Sequence, residues 1–204
     1  MIEFIKGITD HSTLGVWRIN ESIDELERGV LKNEKEHARH YHPKKKKEHY
    51  ASRMLIAKVM NSLGLEYHGI VKDNHGKPFL GGYDMHLSIT HNDDFVGCLI
   101  NRLHPCGMDI EHQRVQLPRI MRKYLNDHEQ MLYGGDMERL TVAWSAKEAI
   151  YKIYGRKNLH FSQDIRIISM SFDEVQASVT VADVQKDYLL KVERLDQSFL
   201  VYSL

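Results

Sequence analysis

Two acids in the segment GMDIE are the residues of this 204-residue chain whose spacing most directly suggests chemistry. Side chains alternate between the two faces of a β-strand, so Asp109 and Glu111 would share one face while Met108 and Ile110 turn towards a core. Neighbouring carboxylates repel each other unless a proton or a cation joins them, and carboxylate oxygens suit Mg²⁺. The pattern predicts a divalent-cation site, although two solvated acids at an exposed strand edge would give the same sequence.

A second group of charged residues lies in the segment WSAKEAIYK. Trp144, Glu148 and Lys152 recur every four residues, and this spacing places them on one stripe of a helix. A glutamate four residues before a lysine also stabilises a helix without any further role. If Asp109 and Glu111 hold a metal ion that carries a phosphate ester, the stripe adds a third carboxylate and a cation. Three acids and a lysine then predict a Mg²⁺–phosphate site.

A third group consists of a turn and the end of a strand. In GKPFL, a proline of fixed φ follows Lys77 at the tip of a turn, and in SITHN, His91 stands at the predicted end of a strand. Taken separately, Lys77 fits a solvated loop residue and His91 fits a hydrogen-bonded residue of a hairpin. The order of these segments ahead of the two acids is therefore more informative than either residue.

The elements that would position these residues follow one order twice. Residues 48–63 and 137–154 show apolar side chains at helical spacing, each run is followed by a glycine suited to a helix end, and strand signals come next. The other predicted elements are helices at 21–39 and 117–132, the latter with Pro118 in its first turn, and strands at 67–71, 85–91, 95–101, 164–172, 174–182, 187–195 and 198–203. This order predicts an α+β fold of two similar halves, residues 1–104 and 105–204.

Composition limits the remaining classes of protein. The 28 Lys and Arg residues balance 28 Asp and Glu residues, so no global field attracts nucleic acid, although residues 28–77 hold twelve basic residues against five acids. The two cysteines, Cys98 and Cys106, form neither a disulfide framework nor a paired zinc knuckle and suit a reducing compartment. The N-terminal residues lack the apolar run of a signal peptide, and no stretch approaches the roughly 20 apolar residues that span a bilayer. We expect a soluble, cytoplasmic protein.

The ordered segments GKPFL, SITHN, GMDIE and WSAKEAIYK, within residues 53–152, resemble the motifs of the 4′-phosphopantetheinyl transferase superfamily. The last segment resembles the WxxKEAxxK motif of the longer, Sfp-type branch. The resemblance implies two similar α+β halves arranged as a pseudo-twofold, with coenzyme A-binding elements in residues 1–104 and the magnesium-binding acids and the WSAKEAIYK helix in residues 105–204. It also implies Mg²⁺ as cofactor and coenzyme A as substrate.

The same resemblance implies roles for individual residues. Lys152 matches a lysine that contacts the pyrophosphate. Three residues match the metal-binding acids of the family: Asp109, Glu111 and Glu148. The residues implied around coenzyme A in the first half are Lys77 and Pro78, which line the adenine pocket, Arg53 and His91, which share the 3′-phosphate, and Thr90, which keeps the hydroxyl of the usual serine before that histidine.

The implied reaction transfers the phosphopantetheine arm of coenzyme A to a serine of an apo acyl- or peptidyl-carrier protein, with release of 3′,5′-ADP. Glu148 and Lys152 would be the catalytic residues, Glu148 taking the serine proton directly or through a metal-bound water, and Lys152 holding the pyrophosphate. Metal ligation would lower the pKa of Glu148 and weaken it as a base, so both routes stay open. Because both halves lie in one chain, we expect a monomer.

The basic stretch supports an alternative from another class of protein. The segment HARHYH precedes four consecutive lysines, residues 44–47, and its histidine spacing fits no standard zinc set. A solvated basic face that meets coenzyme A phosphates or an acidic carrier is the first interpretation. A nucleic-acid or anion-binding module whose acids are merely structural is the alternative. A relative that has lost activity is disfavoured, because no acid or lysine of the set is missing.

Overall fold

The computed structural model describes residues 1–74, 76–155 and 158–204 of the chain. It is 32% helical and 35% strand, and the described strands pair in antiparallel fashion, which confirms the predicted α+β class. The chain divides into two compact units, Met1–Pro105 and Cys106–Leu204. The sequence analysis placed the boundary after residue 104, and the pseudo-twofold relation between the halves stays a prediction.

The first unit is an antiparallel sheet with one long helix on one face. Its elements are β1 (Ile2–Thr9), β2 (Ser12–Arg18), α1 (Ile23–Glu27), α2 (Lys32–His37), α3 (Pro43–Ser62), β3 (Ile70–Lys72), β4 (Pro78–Leu80), β5 (His86–His91) and β6 (Phe95–Asn101). The four-stranded sheet has the order β1-β2-β6-β5, and β3 pairs with β4 in a separate small sheet.

Helix α3 packs across β2 and β6 of this sheet. Pro43 occupies its first turn, where a missing N–H costs nothing, and Leu55 and Val59 are fully buried in the core of the unit. A Cβ on Gly15 of β2 would lie 2.6 Å from Val59 Cγ2, so glycine lets the helix approach the strand closely. This packing fixes the helix that carries Arg53.

The second unit is a five-stranded antiparallel sheet with three helices inserted after its first strand. Its elements are β7 (Met108–His112), α4 (Leu117–Tyr124), α5 (Asp127–Tyr133), α6 (Met137–Tyr154), β8 (Ile165–Met170), β9 (Glu174–Val181), β10 (Val184–Leu195) and β11 (Ser198–Ser203). The strand order is β7-β11-β10-β9-β8, so the first strand of the unit pairs with the last.

Helix α6 carries the WSAKEAIYK segment and lies against β7 and β11. The Asp136 carboxylate caps its start by accepting a hydrogen bond from the Glu138 N–H, and Gly155 ends it in the left-handed conformation, with φ of 67°. A Cβ on Gly107, the residue before β7, would lie 2.0 Å from the Ala149 carbonyl oxygen. Only glycine permits this approach, which brings the middle of α6 to the acids of β7.

The structure departs from the predicted elements in the shorter helices, at the N-terminus and in GKPFL, where residues predicted as a turn form strand β4. The helix predicted at 21–39 is two helices, α1 and α2, and the helix predicted at 117–132 is α4 and α5. Asn126 accepts a hydrogen bond from the Glu129 N–H and starts α5 with a capping box, a break that helical periodicity alone concealed. Strands β1 and β2 were not predicted. β1 pairs with β2, and β2 pairs on its other side with β6, which lies more than 75 residues away in the chain, so local sequence contains little of this pairing. No helix within the described ranges is both long and apolar enough to cross a membrane.

Candidate active-site residues in the two units

The two acids of GMDIE lie on β7, as their alternation predicts. Asp109 and Glu111 are each 6% exposed and share one face of the strand, whereas Met108 and Ile110 are fully buried on the other. Solvated acids at a strand edge would be exposed, so this alternative is not what the structure contains. Buried carboxylates are costly unless cations or hydrogen bonds compensate their charge.

Two cationic side chains neutralise part of the negative charge of Asp109 and Glu111. Lys152 Nζ of α6 lies 2.9 Å from Asp109 Oδ1 and 2.8 Å from the Met108 carbonyl oxygen. Arg114, three residues after Glu111, donates a hydrogen bond of 2.5 Å to Glu111 Oε1. Arg114 was missed in the sequence analysis, although its spacing from Glu111 was visible there. Asp109 and Glu111 are thus each bound to one cationic side chain.

Glu148 of α6 acts electrostatically on the same group. The pKa of Glu111 is raised to about 7, mainly by burial, with smaller increases from the charges of Asp109 and Glu148 and a decrease from Arg114. Burial and the Asp109 carboxylate also raise the pKa of Glu148, against the lowering effect of Lys152. The structure therefore brings the three predicted acids and Lys152 into one interacting group, which we call the acidic group.

The acidic group has the donor chemistry of a Mg²⁺ site but not a preformed metal cage. Glu111 Oε2 is buried, and no hydrogen-bond partner reaches it within the described part of the chain. Across residues 1–74, 76–155 and 158–204, no group of three or more His, Cys, Asp and Glu side chains is arranged to hold a metal ion. The unpartnered oxygen and the mutual repulsion of the acids fit a divalent cation, which would have to draw the three carboxylates together.

Lys147, the lysine inside the WSAKEAIYK segment, is a structural residue. Its side chain has no exposed surface, and Nζ donates to Glu129 Oε2 at 2.7 Å and to the carbonyl oxygens of Phe161 and Ile165 at 3.0 and 2.8 Å. Glu129 also accepts hydrogen bonds from the N–H groups of Asn126 and Ile167. The lysine and the glutamate thus satisfy each other inside the unit, away from the acidic group.

Trp144, at the start of the predicted stripe, also belongs to the core of the unit. Its ring contacts Tyr124 edge to face, with centroids 5.2 Å apart, and a tilted contact of 5.7 Å joins it to Phe161. The stripe therefore divides after its first member, because Trp144 packs while Glu148 and Lys152 join the acidic group.

A cavity of about 300 Å³ in the first unit contains several of the predicted coenzyme A residues. We call it the cationic cavity, since it is lined by Tyr41, Lys45, Glu48, His49, Ser52, Arg53, Lys72, Gly76, Pro78, Ile89 and His91. Arg53, Pro78 and His91 were predicted, whereas Lys45 and Lys72 were not singled out, although they lie in the basic stretch. The cavity gathers positive charge from α3, β3 and β5.

Two predicted residues lie outside the described lining of the cationic cavity. Thr90 is 4% exposed and occupies the face of β5 opposite His91, because consecutive strand residues alternate. Lys77 precedes β4, and its N–H donates to Asp73 Oδ1 at 2.8 Å in the turn where Gly76 has φ of 87°. Neither Thr90 nor Lys77 is therefore among the described residues that line this cavity.

Two charged residues of the cationic cavity, His91 and Arg53, lie beside acids of their own unit. His91 Nδ1 lies 3.4 Å from Glu48 Oε2, and Arg53 Nε lies 3.3 Å from Glu34 Oε1. Burial and the Arg53 charge lower the pKa of His49 to about 4, so that its imidazole is neutral at neutral pH. The positive charge for an anionic ligand therefore comes from lysine and arginine side chains, and from His91 when it is protonated.

Comparison with known proteins agrees with the motif resemblance. Residues 105–200 match the model of the 4′-phosphopantetheinyl transferase superfamily. The chain is 30% identical over 90 residues to the "4′-phosphopantetheinyl transferase gsp" of Aneurinibacillus migulanus, and the alignment covers 42% of this chain and 37% of that relative. The unit with the acidic group thus matches this superfamily, in agreement with the predicted resemblance, while assignment to the WxxKEAxxK branch stays a prediction. The matched region spans little more than a third of that relative's length.

Proposed function

We propose that this protein is a 4′-phosphopantetheinyl transferase that moves the phosphopantetheine arm of coenzyme A to a serine of an apo carrier protein. One overlap carries this proposal: the family match covers residues 105–200, and the same residues contain the acidic group with its lysine. A relative named as a transferase of this kind supports the same class of reaction.

The proposed step exchanges one P–O bond for another. The serine oxygen bonds to the phosphorus nearest pantetheine, the P–O bond to the bridging oxygen breaks, and 3′,5′-ADP leaves with that electron pair. Glu148 takes the serine proton, directly or through a bound water. Without a metal ion, burial and the Asp109 charge raise the pKa of Glu148 and make it a stronger base than an exposed glutamate, whereas ligation to Mg²⁺ would lower that pKa and favour the route through water. Lys152 supplies a positive charge that would hold the pyrophosphate.

Asp109, Glu111 and Glu148 are the residues that would hold Mg²⁺. This ion prefers oxygen ligands, and the buried Glu111 Oε2, unpartnered within the described residues, offers one. When bound, Mg²⁺ neutralises charge on the pyrophosphate and on the leaving phosphate. Lys152 and Arg114 already neutralise part of the charge of these acids, so both side chains would have to give up part of these contacts to a bound Mg²⁺.

The cationic cavity is the proposed place of the 3′-phosphate of coenzyme A. Lys45, Arg53 and Lys72 supply positive charge there, as does His91 when it is protonated, and Glu48 opposes it. Pro78 stiffens the wall that would meet the adenine. Roles for Lys77 and Thr90 at coenzyme A stay predictions from the motif resemblance.

The carrier protein is the second proposed substrate. Of the four lysines at 44–47, Lys44 and Lys45 are exposed and the other two are half-buried. Lys44 forms a surface ion pair of 2.6 Å with Asp93. A basic surface of this kind would raise the association rate with an acidic carrier, and salt would weaken that effect.

The test is a transfer assay with purified protein, coenzyme A, Mg²⁺ and a panel of apo carriers from fatty-acid, polyketide and peptide synthesis. Transfer adds the mass of one phosphopantetheine arm to the carrier and requires its serine, so a serine-to-alanine carrier is the matched control. EDTA should stop the reaction, and excess Mg²⁺ should restore it.

Two results would count against the proposed reaction. No added mass on any carrier of the panel would overturn it. A salt-sensitive shift of nucleic acid in the same preparation, without transfer, would favour the nucleic-acid or anion-binding alternative.

A further inference from the structure

Three polar side chains of the first unit form a buried cluster behind the cationic cavity. Glu34 of α2 is 5% exposed, and its Oε1 accepts a hydrogen bond of 2.5 Å from the Tyr67 hydroxyl. The Nε of Arg53 lies 3.3 Å from the same oxygen, and the Arg53 side chain is 11% exposed. One carboxylate oxygen therefore meets a phenol and a guanidinium together.

The position of Glu34 keeps its charge away from the ligand side of Arg53. Arg53 lines the cationic cavity, whereas Glu34 is not in the described lining of that cavity. Glu34 and Arg53 instead share a neighbouring cavity of about 310 Å³ with His37, Val71 and other residues. The carboxylate thus holds the guanidinium from behind, with the cationic cavity in front of it.

The Tyr67 hydroxyl adjusts this ion pair. Burial raises the pKa of Tyr67 well above its usual range, and the Glu34 carboxylate raises it further, so the phenol keeps its proton and donates a hydrogen bond to Glu34. A hydrogen bond to a carboxylate oxygen spreads part of its negative charge. Glu34 then orients Arg53 while neutralising it less than an unshared carboxylate would.

A gain in folding stability is a weak explanation for the buried cluster of Glu34, Arg53 and Tyr67. Removing two charges from water costs free energy that a buried ion pair often fails to recover, and the other Glu34 oxygen, Oε2, is buried without a hydrogen-bond partner among the described residues. A fixed guanidinium at the wall of an anion cavity provides a reason, because a phosphate then meets a cation that is already oriented.

We propose that Tyr67 and Glu34 are positioning residues that act through Arg53 to favour coenzyme A over its analogue without the 3′-phosphate. This inference rests on the proposed transferase function and adds to it two residues that never touch the ligand. Selectivity for the 3′-phosphate would then depend on the Tyr67 phenol, which contacts Glu34 and not the ligand.

Tyr67→Phe tests the inference, because it removes one hydroxyl and keeps the ring. We expect the KM for coenzyme A to rise about fivefold with kcat within about twofold of wild type, and the KM for 3′-dephospho-coenzyme A to stay unchanged. Tyr83→Phe is the matched control: the Tyr83 hydroxyl donates to the Glu66 carbonyl oxygen at 2.8 Å, outside this cluster, and its loss should change neither KM. A purely structural role for Tyr67 would raise both KM values or neither, and either result would overturn the inference.

A second variant separates action through Arg53 from direct action of Tyr67. In an Arg53→Gln background, which itself should raise the KM for coenzyme A, adding Tyr67→Phe should have no further effect. A full fivefold effect in that background would contradict positioning through Arg53. Calorimetric measurement of 3′,5′-ADP binding compares wild type with Tyr67→Phe without catalysis. Wild-type protein that binds this nucleotide but modifies no carrier would refute the transferase proposal, and the effect of Tyr67 on Arg53 could still be measured by binding. Equal 3′,5′-ADP affinity of wild type and Tyr67→Phe would refute the positioning.

Discussion

Lys147 and Glu148 are consecutive residues of α6, yet their charged groups lie in opposite environments. Lys147 is fully buried and reaches three oxygen acceptors, and its partner Glu129 accepts further backbone hydrogen bonds. Burial and the Asp109 carboxylate raise the pKa of Glu148, and the same group holds a buried oxygen, Glu111 Oε2, to which no described residue donates a hydrogen bond. A satisfied charge pair holds the fold together, whereas the unsatisfied acids are suited to a cation and a reacting proton.

The largest expected effect is on stability, at the satisfied pair. Lys147→Met leaves Glu129 buried without its cation, and we expect the free energy of unfolding to fall by about 3–5 kcal/mol. Urea denaturation followed by circular dichroism measures this. The double variant Lys147→Met with Glu129→Gln should recover part of the loss, because no charge is then left buried. An unchanged urea midpoint for Lys147→Met would contradict the conclusion that the Lys147–Glu129 pair stabilises the fold.

The next effect is on activity, at the acidic group. Asp109→Ala and Glu148→Ala should each lower the rate of carrier modification by at least about a hundredfold. Both variants remove a proposed metal ligand, and Glu148→Ala also removes the proposed base. Both variants should fold, since each relieves repulsion among the remaining acids. Glu138→Gln is the matched control on α6: this exposed acid pairs with Arg194 and should transfer at the wild-type rate. Full mass shift of the carrier by Asp109→Ala or Glu148→Ala would refute the site.

Glu111 provides a pH test of the same repulsion. Its pKa is raised from an ordinary 4.5 to about 7, so between these values the folded protein holds a proton that the unfolded chain has released. Stability should therefore fall as pH rises from about 5 to about 7, by an amount on the order of 1–3 kcal/mol.

The Glu111→Gln variant cannot lose this proton and should be more stable than wild type at pH 8 but not at pH 4. Urea unfolding in EDTA at both pH values makes the comparison. Millimolar Mg²⁺ should then stabilise wild type at pH 8 and have less effect on Glu111→Gln. If the stability of the two proteins changed with pH in the same way, burial and neighbouring charges would not raise the pKa of Glu111.

The smallest effect is expected at Lys152, which neutralises Asp109 within the acidic group and is 27% exposed at its side chain. Lys152→Ala should lower kcat about tenfold and change the KM for coenzyme A less, if its contact with the pyrophosphate tightens in the transition state. Steady-state kinetics with one carrier gives both values. A loss confined to KM would make Lys152 a plain binding residue.

Regular elements with strong local signals were predictable from the sequence. The alternation in GMDIE placed Asp109 and Glu111 on one face of a strand, and Gly155 ended α6 because its left-handed backbone excludes most other residues. The breaks inside the predicted helices were less visible, since the capping box at Asn126 interrupts a run that keeps helical periodicity. Strand β2 was missed because its partner β6 lies far along the chain.

The sequence by itself determined which acids share a strand face, which charged residues recur along α6 and which family motifs the chain resembles. Only the tertiary structure decided which of these charges are satisfied. Lys147 and Lys152 look alike in WSAKEAIYK, but packing encloses Lys147 with Glu129 and leaves Lys152 beside Asp109. Likewise, Thr90 and His91 are neighbours in the chain that the pleat of β5 turns to opposite faces. The physical reason is that solvation and Coulomb energy depend on distances between residues remote in sequence, which local spacing does not contain.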